Sequence, residues 1–128
     1  PGYDENWPSD IVFTLNGITL GMWTSPGDFA SKRGKYTPQW WTPNINQYGL
    51  LKVFRIDGEG TYIDGEKMSD IRIDAVSNAD TSWNLMLSVD EHAVHPGGLT
   101  IFGKGFGNYD QDIIIKICYT STRQKARQ

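Results

Sequence analysis

Seven aromatic side chains, Trp23, Tyr36, Trp40, Trp41, Tyr48, Phe106 and Tyr109, fall in or at the mouth of two turn-rich segments instead of strand interiors. Loops run over the surface and expose what they carry. The same segments hold planar and charged hydrogen-bonding groups: Asp28, Arg33, Lys35, Gln39, Asn44, Asn46 and Gln47 in the first, Lys104, Asn108, Asp110 and Gln111 in the second. An aromatic platform ringed by such groups suits a ligand with an apolar C–H face and many hydroxyls. The ring takes the face, while amide, carboxylate and guanidinium groups fix the hydroxyls. The expected partner is therefore a small polar effector, with a sugar or sugar derivative fitting best. The expected site has Trp23, Trp40 and Tyr109 stacking, with Asp28, Arg33, Gln47, Lys104 and Asn108 hydrogen-bonding. Trp41 is adjacent to Trp40, so the two side chains diverge; one is expected to plug the core and the other to line the site. Arg33, Lys35 and Lys104 would also admit a sugar phosphate or sugar acid.

Other constellations are less specific. His92 and His95, with Asp90 and Glu91 beside them, have a spacing that converges on a helix face, but Pro96-Gly97-Gly98 makes the segment a loop. A solvated loop is expected there, and no metal. Asp10, Asp110 and Asp112 could approach one another near the first and last strands, yet a hard cation needs roughly six to eight oxygens. The run Gly103-Lys104-Gly105-Phe106-Gly107 lacks the spacing of a phosphate cradle and leads into a strand pattern, so no nucleotide cofactor is expected. Asp28 and Asp110 are the only acids within both aromatic loops, and nothing fixes them as an acid–base pair for glycoside hydrolysis. Cys118 lies in an apolar run without an activating base and is expected to be a buried small hydrophobe. A non-enzymatic, cofactor-free protein is expected.

The elements that must hold these loops are strands. Asp10-Ile11-Val12-Phe13-Thr14-Leu15 and Ile18-Thr19-Leu20-Gly21-Met22-Trp23 flank Asn16-Gly17, the pair that a type I′ hairpin turn requires. From Thr24 to Gly49 no strand period survives, far beyond the roughly 12–15 residues usual for loops in compact domains. Thr37 and Pro38 could open a short helical turn there. Alternation returns in residues 50–57, 61–63, 70–76, with Ile71, Ile73 and Ala75 inward, and 84–90, with Leu85, Leu87 and Val89 on one face. Leu99-Thr100-Ile101-Phe102 and residues 111–119 read as the last strands. Seven to nine short strands with regular turns predict an all-β, antiparallel β-sandwich of jelly-roll type, similar to carbohydrate-binding modules. The cysteine pair of an immunoglobulin-like sandwich is absent. One domain over residues 1–119 and a disordered or appended tail over 120–128 are expected.

Composition agrees with a turn-rich chain: 14 Gly and 6 Pro in 128 residues exceed the roughly 12% of average usage. No wholly apolar run is longer than Ile113-Ile114-Ile115, far short of the roughly 18 residues a membrane-spanning helix needs. Net charge is −3, and Arg123, Lys125 and Arg127 crowd the last six positions. Without them nine basic residues face fifteen acidic ones, which disfavours direct tracking of a phosphate backbone. The chain opens Pro1-Gly2 with no initiator Met and no leader pattern, and reads as a piece of a longer, cytoplasmic protein.

At Glu5-Asn6-Trp7-Pro8-Ser9-Asp10, Trp23-Thr24-Ser25-Pro26-Gly27-Asp28-Phe29, Gln47-Tyr48-Gly49-Leu50-Leu51-Lys52 and the stretch from Phe102 to Asp112, the chain resembles the C-terminal β-rich part of predicted bacterial ArsR-type winged-helix transcription regulators. That resemblance implies an effector-sensing domain, with DNA bound only through a winged-helix domain preceding Pro1, and a homodimer in the intact regulator. The alternative reading is a protein-interaction or dimerisation module with no small-molecule ligand, because exposed aromatic loops also suit docking.

Overall fold

The computed structural model describes residues 8–27, 29, 32–42, 47–77 and 82–118. Strands β1 (Ser9–Leu15) and β2 (Ile18–Ser25) form the expected hairpin. Asn16 and Gly17 both adopt positive φ, 50° and 82°, as a type I′ turn demands. Asn16 also ties the turn to two distant segments. Its Nδ2 donates to the Val76 carbonyl (2.8 Å), and its Oδ1 accepts from the Asn84 N–H (2.8 Å). Asn16→Gly keeps the turn's backbone but loses both bonds. We expect it to cost about 1–2 kcal/mol, measured by urea unfolding, with Asn16→Ala costing more because it also strains the left-handed φ.

A third strand, β6 (Leu85–Ser88), pairs antiparallel with the other side of β1, giving the order β2-β1-β6. Strands β3 (Phe54–Ile56), β4 (Thr61–Ile63) and β5 (Glu66–Ser69) form a second antiparallel sheet in sequence order. A second pair of positive-φ residues, Asp64 and Gly65, turns β4 into β5. The sheets meet over one small core. Alternation along β1 buries Ile11, Phe13 and Leu15 on one face, joined by Leu20, Ile63 and Val76. Phe13 stacks on Phe54 across the sheets at 4.6 Å between ring centroids. The sheets also approach closely at Gly21, where a Cβ would lie 2.3 Å from Met68 Cγ.

The jelly-roll sandwich expected from the turn spacing is not the fold. The described residues are all-β apart from one helical turn, but the two three-stranded sheets they form neither close nor curl. A jelly roll needs about eight strands in two sheets. Residues 99–102 and 111–118, the segments that should complete them, belong to no strand. Within this chain the isoleucines at 113–115 find no partner strand; in a strand Ile113 and Ile115 would share one face and Ile114 would take the other. Residues 70–76 also depart from strand form. Ile73–Val76 is a single helical turn, α1, started where the Ile73 N–H donates to the Asp57 carbonyl (2.9 Å) and closed by Ser77 N–H to Ile73 O (2.9 Å). It buries Val76 and leaves Ala75 exposed, the reverse of the period-two pattern. The strand expected over 50–57 contracts to Phe54–Ile56. The 120–128 tail lies outside the described residues. No helix among those described is long and apolar enough to cross a membrane.

Candidate functional site

The two aromatic loops do meet, and backbone hydrogen bonds bring them together. Gly34 N–H donates to Gln47 O (3.0 Å), Tyr36 N–H to Gly107 O (2.7 Å) and Asn108 N–H to Tyr48 O (2.6 Å). The Asn108 side-chain oxygen accepts from Lys35 N–H (3.3 Å), and the Thr37 hydroxyl donates to the Gln47 carbonyl. Residues 34–37, 47–48 and 107–108 are thereby laced into one unit. Glycine is required where they cross: a Cβ on Gly34 would lie 2.2 Å from Gln47 O and 2.3 Å from Gly107 C. Gly107 itself has φ +76° and would press a Cβ against Phe102 and the Tyr48 carbonyl.

An aromatic chain runs outward from this lacing. Phe102 packs on Phe106 (5.2 Å), Phe106 on the edge of Trp41 (4.8 Å), and Trp41 on Trp40 (5.9 Å). Trp41 is half-buried in that stack, whereas Trp40 is 77% exposed at its outer end. The turn carrying both is closed by Trp41 N–H to Pro38 O (3.0 Å) and clamped by Arg33, whose Nη2 donates to the Thr37 carbonyl (3.2 Å) and to the Pro38 carbonyl. Thr37 spends its hydroxyl on Gln47, so it caps no helix. Nearby, Lys32 Nζ sits 5.0 Å over the Tyr48 ring and Lys35 Nζ 5.5 Å over Tyr36.

Of the expected site residues, Arg33, Trp41, Gln47 and Asn108 are built into this unit, with Trp40 on its rim. Gln47 is buried, its carbonyl joining the two arms of the first loop through Gly34 and Thr37. Lys104 and Tyr109 are exposed on the 102–109 loop, where the Lys104 N–H donates to Asp112 Oδ1 (2.7 Å). Trp23 lies elsewhere: it packs against the core from β2, with Lys52 Nζ 4.6 Å over its ring and that same ammonium 2.9 Å from Asp64. Asp28 lies outside the described residues, as do Asn44 and Asn46. Cys118, expected to be buried, is exposed.

A second cluster went unread in the sequence. Asp10, 3% exposed, accepts the Thr24 hydroxyl (2.7 Å), the His95 N–H (3.0 Å) and His95 Nδ1 (3.0 Å). Its own N–H donates to the His95 carbonyl (2.8 Å), and Ser9 Oγ donates to Gly98 O (2.6 Å). The loop expected to be merely solvated is therefore latched onto the start of β1. The sequence does not show this: an unbroken hairpin would set Asp10 opposite Trp23, a bulge between Thr14 and Phe13 shifts its partner to Thr24, and nothing in the sequence marks His95. Asp10, Asp110 and Asp112 do not form a cation site: Asp10 is committed to the latch and Asp112 to Lys104. Among the described residues no three of His, Cys, Asp and Glu gather to hold a metal ion.

The Thr24 hydroxyl, then the His95 backbone and ring, hold the Asp10 carboxyl below the ordinary 3.8 against the opposing effect of burial. A depressed carboxylate pKa stabilises the fold above the unfolded value and loses that contribution as pH falls through the folded one. Stability should therefore drop as pH falls below about 4. In thermal melts between pH 7 and pH 2, Asp10→Asn should flatten that acid limb.

No family model, curated protein or solved structure matches the chain. The open, uncurled sheets overturn the resemblance to carbohydrate-binding jelly rolls and to the β-rich domain of ArsR-type regulators, and take from the sugar expectation the support it drew from that fold type.

Proposed function

We propose that the chain is a self-association module in which residues 111–118 of one copy add as a strand to β6 of another. The observation that carries this is the exposure of Ile113, Ile114, Ile115 and Ile117, between 50% and 72%, in a segment that belongs to no strand. β-Branched residues favour a pleated, half-buried surface, and burying an isoleucine gains roughly 1.5–3 kcal/mol. The same chain offers an acceptor. Of its open edges, β5 carries Glu66 and Lys67 and β3 carries Arg55, charges that discourage pairing. On β2, Gly21 lies beneath Met68. β6, with the sequence Leu-Met-Leu-Ser, is uncharged, and its Leu85 and Met86 are exposed. Main-chain bonds from strand addition would give affinity, and alternate isoleucines specificity. The 102–109 loop, which carries the inner end of the aromatic chain, touches the donor segment through the Lys104–Asp112 contact.

Sedimentation velocity over a broad concentration series tests this. A monomer-to-dimer transition is expected; a single monomeric species throughout would sink the proposal. A cytoplasmic setting forms part of the same reading, supported by the exposed thiol of Cys118, which an oxidising compartment would consume.

A second reading is favoured by the loop unit: a small polar ligand seated on Trp40, with Arg33, Lys35 and Asn108 close by. Saturable quenching of tryptophan fluorescence by a small anion or polyol, removed by Trp40→Ala, would support it over self-association.

A further inference from the structure

We infer that the outer face of the first sheet holds a binding site for a small organic cation with an apolar body, such as an alkyl- or arylammonium ion. Alternation places Asp10 and Val12 on the face of β1 opposite the core, and the hairpin register sets Met22 directly across from Val12. The loop that follows β6 folds over this face and is fastened by the Asp10–His95 bonds. Between loop and strands lies a cavity of about 360 Å³ lined by Asp10, Val12, Met22, Asp90, His92, Ala93 and Val94. That volume falls within the range of small-molecule sites.

Four of the lining side chains are apolar, the formal charges are two carboxylates, and no lysine or arginine reaches the cavity. Asp10 is almost fully buried and held ionised by its hydroxyl and N–H donors, a fixed negative charge at one wall. Four contacts from Thr24 and His95 fill that carboxylate, so it acts on a ligand as a fixed charge and not as a hydrogen-bond partner. Asp90 accepts the His92 N–H through Oδ1 (2.8 Å), which leaves its second oxygen for a ligand. A primary ammonium would bind the free oxygen of Asp90, within the field of the buried Asp10 charge, while its hydrocarbon part lies on Val12, Met22, Ala93 and Val94. Anions are repelled here, and a neutral ligand of the same shape gains the apolar contact without the charge. The site is separate from the loop unit and from the strand-addition edge, so its test is independent of both.

The probe is benzylammonium, with benzyl alcohol as its neutral counterpart, followed by amide and methyl NMR shifts of the full chain. Saturable shifts are expected at Val12, Met22, Ala93 and Val94, with the alcohol at least about tenfold weaker. Asp90→Asn retains an acceptor for His92 N–H and should weaken the ammonium about tenfold while leaving the rest of the spectrum unchanged. Met22→Lys, at a surface position, should abolish binding by placing a competing ammonium in the cavity. Equal binding of cation and alcohol, shifts that miss these four residues, or undiminished affinity in Asp90→Asn would overturn the inference.

Discussion

Replacing Gly34 by alanine should lower the thermal midpoint by about 10 °C, whereas Gly58→Ala should leave it nearly unchanged. The contrast follows from what each new methyl would meet. At Gly34 it would fall on the Gln47 carbonyl and on the Gly107 backbone, and backbone atoms cannot swing aside as the end of a flexible side chain can. Relief requires the backbone at Gly34 to back away from both Gln47 and Gly107, which stretches the Gly34–Gln47 and Tyr36–Gly107 hydrogen bonds together. Overpacking of this kind costs about 2–3 kcal/mol. At Gly58 nothing lies within 4 Å and φ is not positive. Differential scanning calorimetry gives the midpoints. Tryptophan emission provides a second readout, since loosening the loops should move Trp41 off Phe106 and shift its emission to the red.

The larger functional effect is expected from Ile115→Asp combined with Ile117→Asp. Both side chains are exposed in the single chain, so the thermal midpoint of the dilute protein should change little. Positions two apart share a face of any strand they form, so both carboxylates would be forced into the apolar contact with β6. Losing two buried isoleucines and adding two desolvated charges should weaken association by at least about a hundredfold, read as a shift of the sedimentation midpoint. A variant that unfolds in dilute solution would show instead that these side chains hold the single chain together.

The sequence was informative wherever local chemistry decided the backbone. Asn16-Gly17 has the one conformation that suits its two flanking strands, and the alternation of Ile11, Phe13 and Leu15 picks out the core face of β1. It misled where a period-two pattern had no partner to pair with. Ile71, Ile73 and Ala75 alternate as a strand would, yet the Asp57 carbonyl and the Thr61 hydroxyl capture this stretch and leave it as a bend and one helical turn. Residues 111–118 have the composition of a strand without the neighbour that would make them one. The meeting of the two aromatic loops was invisible because backbone groups and absent side chains, at Gly34 and Gly107, hold it together. Asp10 and His95, 85 positions apart, could not be joined without the fold.

Hydrogen–deuterium exchange across the association transition tests strand addition most directly. In dilute protein the amides of residues 113–117 should exchange freely, because no ladder protects them. At concentrations where sedimentation shows dimer, those amides and the outward-facing ones of Leu85–Ser88 should become protected together. Protection of neither segment, or of the 34–37 and 107–108 loops alone, would contradict the account.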